Sequence, residues 1–204
     1  MVKDKAPAFI CNCATAVDII QAADFWADMH AGDWLDLLRR QNMMTGNPII
    51  DGWTVPLWAQ IGDVVFMMET VTSIDTIGRS IKCLKDKAQY LPLAEFRNAM
   101  FALSSAKETY DAFGGKIFAI ARIASEPEPQ FGIKEPHQVA NCHSDLDGVC
   151  FLKHPVPYDA FKGFQKVSNY GAITSLSKEN YNRLKLLVMA ENDTPDWFRK
   201  GYIA

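Results

Sequence analysis

Short apolar runs separated by turn-forming residues divide this chain into predicted strands. Residues 8–14 form a compact apolar run of the kind found in buried strands. Residues 64–72 are rich in β-branched and large apolar side chains, which predicts a central strand entered from a Gly-Asp turn. The clearest strand is predicted over 116–124, because the prolines that follow it cannot donate to a β-ladder. Another strand is predicted over 148–153, after a polar and irregular stretch at 130–147.

Helical spacing of apolar residues predicts helices in other parts of the chain. Helical signals lie between 18 and 41, where aspartates stand at capping positions before apolar residues spaced three and four apart. Two helices are predicted over about 93–102 and 104–113, and a Gly-Gly pair closes the second. A helix over 177–188 is predicted to be capped by the serine at its first position, and its apolar residues share one stripe.

The composition is that of an ordinary folded domain. The 204 residues are 49% hydrophobic and 22% charged, which predicts one domain over 1–204 and excludes a disordered or coiled-coil chain. Five cysteines at irregular spacings, with no charged and apolar leader at the start, predict a reduced, cytoplasmic protein. The apolar runs are far shorter than a membrane span, so no membrane partner is expected.

The charge is unevenly distributed along the chain. A net charge of −3 argues against a protein that coats duplex nucleic acid through phosphate contacts alone. Residues 1–78 carry 4 basic and 10 acidic side chains, residues 79–122 carry 8 and 4, and residues 123–204 carry 9 and 10. Because only the middle stretch is net positive, a pocket that binds a single base beside it remains compatible with the acidic total.

The motifs of metal, cofactor and catalytic sites are missing from the sequence. Histidines and cysteines occur together between 137 and 154, but their spacing does not fit the paired ligands of structural zinc sites. Neither a phosphate-binding glycine loop nor a nucleophile elbow is present, and no pair of carboxylates stands out for acid and base work. The sequence therefore predicts no metal, no cofactor and no catalytic residue, although it leaves open whether the protein is an enzyme.

Tryptophans lie close to predicted chain breaks. Trp26 follows the first strand, and Trp53 and Trp58 lie in residues 48–58, which two prolines predict to be a loop. A loop tryptophan commonly covers the core of its own domain. The alternative is a cage in which a flat, extruded base stacks between rings, which is worth about 1–3 kcal/mol per stacked base.

Three segments, taken in order, resemble one known superfamily. They are Phe9–Asn12, Ile61–Phe66 and Gly115–Pro127, and the last reads G-x-I-x-x-I-A-R-I-x-S-E-P. Together with 152–162 and 170–181 they resemble the PUA-like superfamily, and within it the EVE-type domains, which are related to the YTH and ASCH types. The resemblance covers about two thirds of the chain and rests on the ordered set of segments.

The resemblance implies a fold and a function. The fold is α+β, with a small, partly closed barrel of five or six strands flanked by helices and a basic helical insertion at about 72–114. The function is that of a reader, which holds a modified or flipped-out base of DNA or RNA in an aromatic pocket at the barrel mouth. The alternatives are a small hydrolase-like enzyme that uses polar residues in the same pocket, and a protein-interaction module whose exposed tryptophans dock a partner.

The resemblance also suggests a role for individual side chains. The faces of the base are assigned to Trp26, Trp53 and Trp58, and its edge to Asn12, Thr15 and Glu69. The flanking phosphates are assigned to Lys82, Lys85, Lys87 and Arg97.

Overall fold

The computed structural model describes residues 5–13, 50–129, 141–167 and 173–201. The strands are β1 (Lys5–Cys13), β2 (Ile50–Pro56), β3 (Val64–Glu69), β4 (Lys116–Ile123), β5 (Glu128–Pro129), β6 (Asn141–Pro157) and β7 (Ile173–Ser177). The α-helices are α1 (Ser73–Lys87), α2 (Leu93–Phe113), α3 (Lys178–Glu191) and α4 (Asp196–Lys200), and short 3-10 helices span Ala88–Tyr90 and Tyr158–Ala160. Among the described residues no helix is both long and apolar enough to cross a membrane.

The chain divides into two compact units. The first, called the sheet unit, includes described residues up to Asn12, from 50 to 68, and from 116 onward. The second, called the helical unit, includes Cys13 and residues 69–115. The protein is therefore an α+β protein whose sheet and long helical pair fall largely in different units.

The sheet unit is built on a mixed, strongly curled half-barrel. Six strands lie in the order β2-β6-β4-β3-β1-β7, and β5 pairs with β6 beside this path. The pairs β1–β7, β2–β6, β3–β4 and β4–β6 are antiparallel. The curl brings the first strand of this order to the fifth, because the indole Nε1 of Trp53 on β2 lies 3.2 Å from the sulfur of Cys11 on β1.

An aromatic cluster lies in the main core of the sheet unit. The five apolar residues Val64–Met68 of β3 are buried, as their unbroken run predicts, and Glu69 at the end of the strand is buried as well. The Phe66 ring meets Tyr181 of α3 and Phe198 of α4 edge to face, with centroids 6.1 and 5.9 Å apart. Each such side chain contributes about 1.5–3 kcal/mol on burial, so this cluster holds the two C-terminal helices on the sheet.

The antiparallel pairing of β6 with β4 is irregular at two places, and a different residue stabilises the backbone at each. Between the pairs Ile120–Cys150 and Arg122–Asp147, β6 has one more residue than β4, which is a β-bulge. Gly148 lies in this bulge with φ 59°, in the left-handed region that glycine adopts without strain. Farther along, the β6 backbone leaves the ladder near His154.

Asn192 satisfies the β6 backbone where it leaves the ladder. Its side-chain Oδ1 accepts from the His154 N–H at 2.8 Å, and its Nδ2 donates to the His154 carbonyl at 3.0 Å. The same Nδ2 donates to the carbonyl of Val188 at the end of α3. One carboxamide therefore replaces two ladder hydrogen bonds and ties α3 to the sheet.

The helical unit contains α1, the 3-10 turn and α2. Ile77 of α1 and the α2 residues Leu103 and Ala106 are buried, so apolar side chains from both helices form its core. The Tyr110 hydroxyl donates to the Val71 carbonyl at 2.9 Å and ties α2 to the segment before α1. The predicted helical content of about 72–114 is present.

Several sequence predictions are confirmed in the structure. The strands predicted at 8–14, 64–72 and 116–124 are β1, β3 and β4. The helix predicted at 177–188 is α3, and the Ser177 hydroxyl oxygen accepts the Asn180 N–H at 3.1 Å, as a capping serine should. The helices predicted between 18 and 41 lie outside the described residues.

Other predictions were wrong. Most of the loop predicted at 48–58 is strand β2, which tolerates its proline because it is the first strand of the order and the proline is its last residue. Residues 141–147, predicted to be irregular, belong to β6. The two helices predicted over 93–113 are one continuous helix, because the burial of Ala102, Ser105 and Ala106 on one face outweighs the weak helix propensity of the serines.

Candidate functional site

Trp53 is held against β1 by a hydrogen bond to a thiol. It lies on β2 and is half-buried, and its Nε1–H donates to the sulfur of Cys11. The Cys11 thiol in turn donates to the carbonyl of Thr54 at 3.7 Å. These two weak bonds join β2 to β1 through side-chain sulfur, so the orientation of the Trp53 ring is fixed.

Trp58 also packs on β1. It follows β2 by two residues, and its ring meets Phe9 edge to face at a centroid distance of 5.7 Å. Phe9 is fully buried, whereas Trp58 is 38% exposed. Phe9 and Cys11 are two residues apart on β1, so their side chains point to the same face of the strand. Both tryptophans therefore lie on that face. We call Phe9, Cys11, Trp53 and Trp58 the tryptophan cluster.

The turn that carries Trp58 has a fixed backbone. The Asp63 carboxylate accepts the Gln60 N–H at 3.0 Å, and the Gly62 N–H donates to the Ile123 carbonyl at 2.9 Å. Gly62 has φ 90°, which a side chain would strain. Leu57 and Ile61, which flank Trp58 on this turn, are 61% and 56% exposed. The turn therefore presents three large apolar side chains on a rigid frame.

The residues assigned to the base edge are not all on the tryptophan face. Asn12 is half-buried on β1, one position beyond Cys11, so its side chain leaves the opposite face of the strand. Glu69 is fully buried in the helical unit, where its Oε1 accepts the Ser73 hydroxyl at 2.8 Å. Trp26 and Thr15 lie outside the described residues.

The cations assigned to phosphate contacts all lie in the helical unit. Lys82, Lys85 and Lys87 are exposed on α1, and Arg97 is exposed on α2. Within the described part of the chain none of the four makes an ion pair, whereas Lys107 on α2 pairs with Asp111. These four charges are therefore available to an anionic ligand.

In the helical unit, the pKa of the Tyr110 phenol is shifted from its ordinary value. Burial is the largest cause that raises the pKa of Tyr110, and the negative charges of Asp75 and Glu69 raise it further. The phenol therefore stays protonated and keeps its hydrogen bond to the Val71 carbonyl at neutral pH. Its role is structural, and it supplies no anion to a ligand.

The cysteines and histidines considered for metal binding have other surroundings. All five cysteines are free thiols. Cys142 is buried in β6, and burial raises the pKa of the Cys150 thiol. In the described ranges no three His, Cys, Asp or Glu side chains come close enough together to hold a metal ion. His137 lies outside those ranges.

Sequence reasoning missed three residues that the structure makes prominent. Phe9 and Cys11 support the tryptophans, but contacts between strands that are not neighbours in the sheet leave no signal in a single sequence. Tyr90 ends the 3-10 helix after α1 and is 77% exposed. Its signal was available, because an aromatic residue three positions after Lys87, in a lysine-rich segment and before a Leu-Pro step, is unusual for a core position.

Comparison with known proteins finds no matching family model, no matching curated protein and no matching solved structure.

Proposed function

We propose that this protein binds nucleic acid, that the tryptophan cluster of the sheet unit stacks on a base, and that cations of the helical unit contact phosphates. The observation that carries the proposal is the set of exposed cations without ion pairs, Lys82, Lys85, Lys87 and Arg97, in a chain of net charge −3. Like charges at three-residue spacing on α1, such as Lys82 and Lys85, repel each other by a few tenths of a kcal/mol. Phosphate groups would relieve this repulsion.

The tryptophan cluster supports the base-binding part of the proposal. A base needs a flat apolar face that is exposed and rigid, and Trp58 offers a ring that is 38% exposed on a turn with a fixed backbone. Trp53 is oriented by Cys11, so it loses little rotamer freedom when a ligand binds. We propose that a modified base, whose added group enlarges the apolar contact, is favoured over the unmodified base.

We further propose that the half-barrel is of the PUA-like, EVE-related type. The three segments that carry the resemblance fall on β1, on the turn into β3 and on β4, and these strands are neighbours in the sheet. A shared fold would support the reader function by analogy only.

Charge reversal tests the phosphate contacts. The double variant Lys82→Glu/Lys85→Glu should weaken binding to a labelled single strand of about 20 nucleotides by more than tenfold, and should lower the salt slope of log K by about 1.4 or more. The matched control is Lys153→Glu/Lys166→Glu, which changes the net charge equally at exposed lysines of the sheet unit. Equal effects of the two double variants, or no measurable binding by the wild type, would contradict the proposal.

A ring deletion tests the base contact. Fluorescence titration should compare strands that are identical except for one methylated cytosine or one methylated adenine. We expect the wild type to distinguish at least one pair, and Trp58→Ala to abolish that discrimination. Leu57→Ala on the same turn serves as the control, because it removes an exposed apolar side chain without removing a ring. If no modification changes affinity, the reader proposal is wrong.

A protein-interaction module remains the second candidate, and one observation favours it. Leu57, Trp58 and Ile61 expose three large apolar side chains within five residues of one rigid turn. In that case Leu57→Ala and Trp58→Ala would weaken association with the partner equally, and nucleic acid would not compete for the turn.

A further inference from the structure

Tyr90 has no structural role that its contacts explain. Its side chain is 77% exposed, more than any other large hydrophobic residue in the described ranges. Within those ranges its hydroxyl makes no hydrogen bond and its ring meets no other ring. A tyrosine that gains nothing from burial and forms no polar contact contributes little to the stability of the helical unit, so its ring is available to a ligand.

The backbone that carries Tyr90 is fixed at both ends. The 3-10 helix Ala88–Tyr90 continues directly from α1, and Leu91 donates back to the Ala88 carbonyl at 3.5 Å. Pro92 then fixes the chain at φ −55°, and its carbonyl accepts the Phe96 N–H in the first turn of α2. Because the ring stands on a short connection between two helices, placing a flat ligand on it orders little additional backbone.

A cation precedes this ring by three residues. Lys87 is the last residue of α1 and Tyr90 ends the 3-10 helix that follows it, and side chains three apart on helical turns lie on the same face. Lys87 is exposed and has no ion pair in the described residues. The pair therefore presents an aromatic face and an ammonium group on the same side of the chain, which matches the base and the phosphate of one nucleotide.

The nucleotide that fits is one whose base face is open. In a duplex both faces of every internal base are stacked, so a surface tyrosine gains nothing from it, whereas the bases of a single strand can stack on an exposed ring. We infer that Lys87 and Tyr90 form a stacking subsite that makes the protein select single-stranded over duplex nucleic acid. This inference rests on the proposed nucleic-acid function and names its substrate class.

Titration of the full chain with labelled single-stranded oligothymidine and with a duplex of equal length tests the subsite. The wild type should prefer the single strand by about fivefold or more. Tyr90→Ala should weaken single-strand binding by about five- to a hundredfold at unchanged salt slope, and should leave duplex binding within about twofold. Tyr90→Phe keeps the ring and should stay close to the wild type.

Two further variants separate the ring from its surroundings. Lys87→Gln should lower the salt slope for the single strand by about 0.7, the value for one lost phosphate contact. Leu93→Ala removes another exposed apolar side chain, 63% exposed, three residues farther along, and should change neither affinity by more than about twofold.

The outcomes distinguish this inference from the proposed function. If Tyr90→Ala weakens both nucleic acids equally, or neither, the subsite is wrong, while the effect of Lys82→Glu/Lys85→Glu still decides the proposed function. If no nucleic acid binds, both fail together. If Tyr90→Ala instead abolishes co-sedimentation with vesicles that contain anionic phosphatidylserine and leaves single-strand affinity unchanged, the connection between α1 and α2 binds membrane lipid. That result would overturn the proposed nucleotide subsite.

Discussion

At the scale of the residue, the side chains that sequence reasoning assigned to one pocket have different surroundings. Trp58 is partly exposed, Glu69 is completely buried, and Asn12 leaves the face of β1 opposite to the tryptophans. The family resemblance suggested all three, together with their residue types, because aromatic rings stack and amides and carboxylates pair with base edges. Exposure and strand face depend on neighbours that are distant in sequence, so residue type could not rank these side chains.

The buried phenol of Tyr181 allows a prediction at this scale. Burial raises its pKa from 10.0 to about 12, so the folded protein keeps the neutral phenol at a pH where the unfolded chain ionises. This contribution to stability is fully present below pH 10 and is lost as the pH rises toward 12, with a loss of about 1 kcal/mol by pH 11. Urea unfolding from pH 8 to 11 should show this decline in the wild type, and the decline should be smaller by about the same amount in Tyr181→Phe.

Tyr90→Phe is the control for this titration, because Tyr90 is 77% exposed. Its stability should follow the wild-type pH profile. If Tyr181→Phe also follows the wild-type profile, the phenol of Tyr181 is not the group that carries the alkaline loss.

At the scale of the element, the strands with the strongest patterns were the ones that the sequence predicted. Strands β3 and β4 are continuous apolar runs because they lie inside the sheet with neighbours on both sides. Strand β2 was taken for a loop, since it lies first in the strand order and carries a proline, and strand β6 was predicted too short. Bulges and edge positions relax the alternation on which strand prediction depends.

At the scale of the element, we predict that the β6 bulge needs glycine at position 148. A Cβ at Gly148 would lie 2.8 Å from Nε1 of Trp197 and would force a side chain into the left-handed region at φ 59°. We expect Gly148→Ala to lower the free energy of unfolding by about 2–4 kcal/mol. Gly163→Ala is the control, since a Cβ there meets nothing within 4 Å, and it should change stability by less than about 1 kcal/mol.

Urea denaturation followed by tryptophan fluorescence measures both glycine variants. A displaced Trp197 ring would also disturb Arg122, because the Arg122 guanidinium lies 5.1 Å from the Trp197 ring centroid and pairs with Asp147 at 2.8 Å. If Gly148→Ala is as stable as Gly163→Ala, the bulge does not need glycine and Trp197 moves aside without cost.

At the scale of the whole molecule, the chain divides into two compact units, and the single domain over 1–204 stays a prediction. Each unit has its own buried residues, such as Ile77 in the helical unit and Ile120 in the sheet unit. The charge does not follow this division, because residues 69–115 of the helical unit carry six basic and six acidic side chains. The net-positive stretch 79–122 also includes Lys116 and Arg122 of β4, which belong to the sheet unit.

Hydrogen exchange tests whether the units open separately. Ile77→Val and Ile120→Val each remove one buried methyl group and should cost about 0.5–1.5 kcal/mol. We expect Ile77→Val to lower the protection of amides in α1 and α2 only, and Ile120→Val to lower that of β4 and β6 only. Equal losses across all amides in both variants would mean that the two units unfold as one.

The sequence by itself determined the class of the protein, the central strands β1, β3 and β4, the capped helix α3 and the net positive charge of residues 79–122. These features depend on local periodicity, capping chemistry and charge, which a chain carries without its tertiary contacts. Only the tertiary structure decided that Trp53 and Trp58 share one face of β1, that Glu69 is buried, and that Tyr90 is exposed. These facts depend on the curl of the sheet and on which surfaces pack together, and packing joins residues that are far apart in sequence.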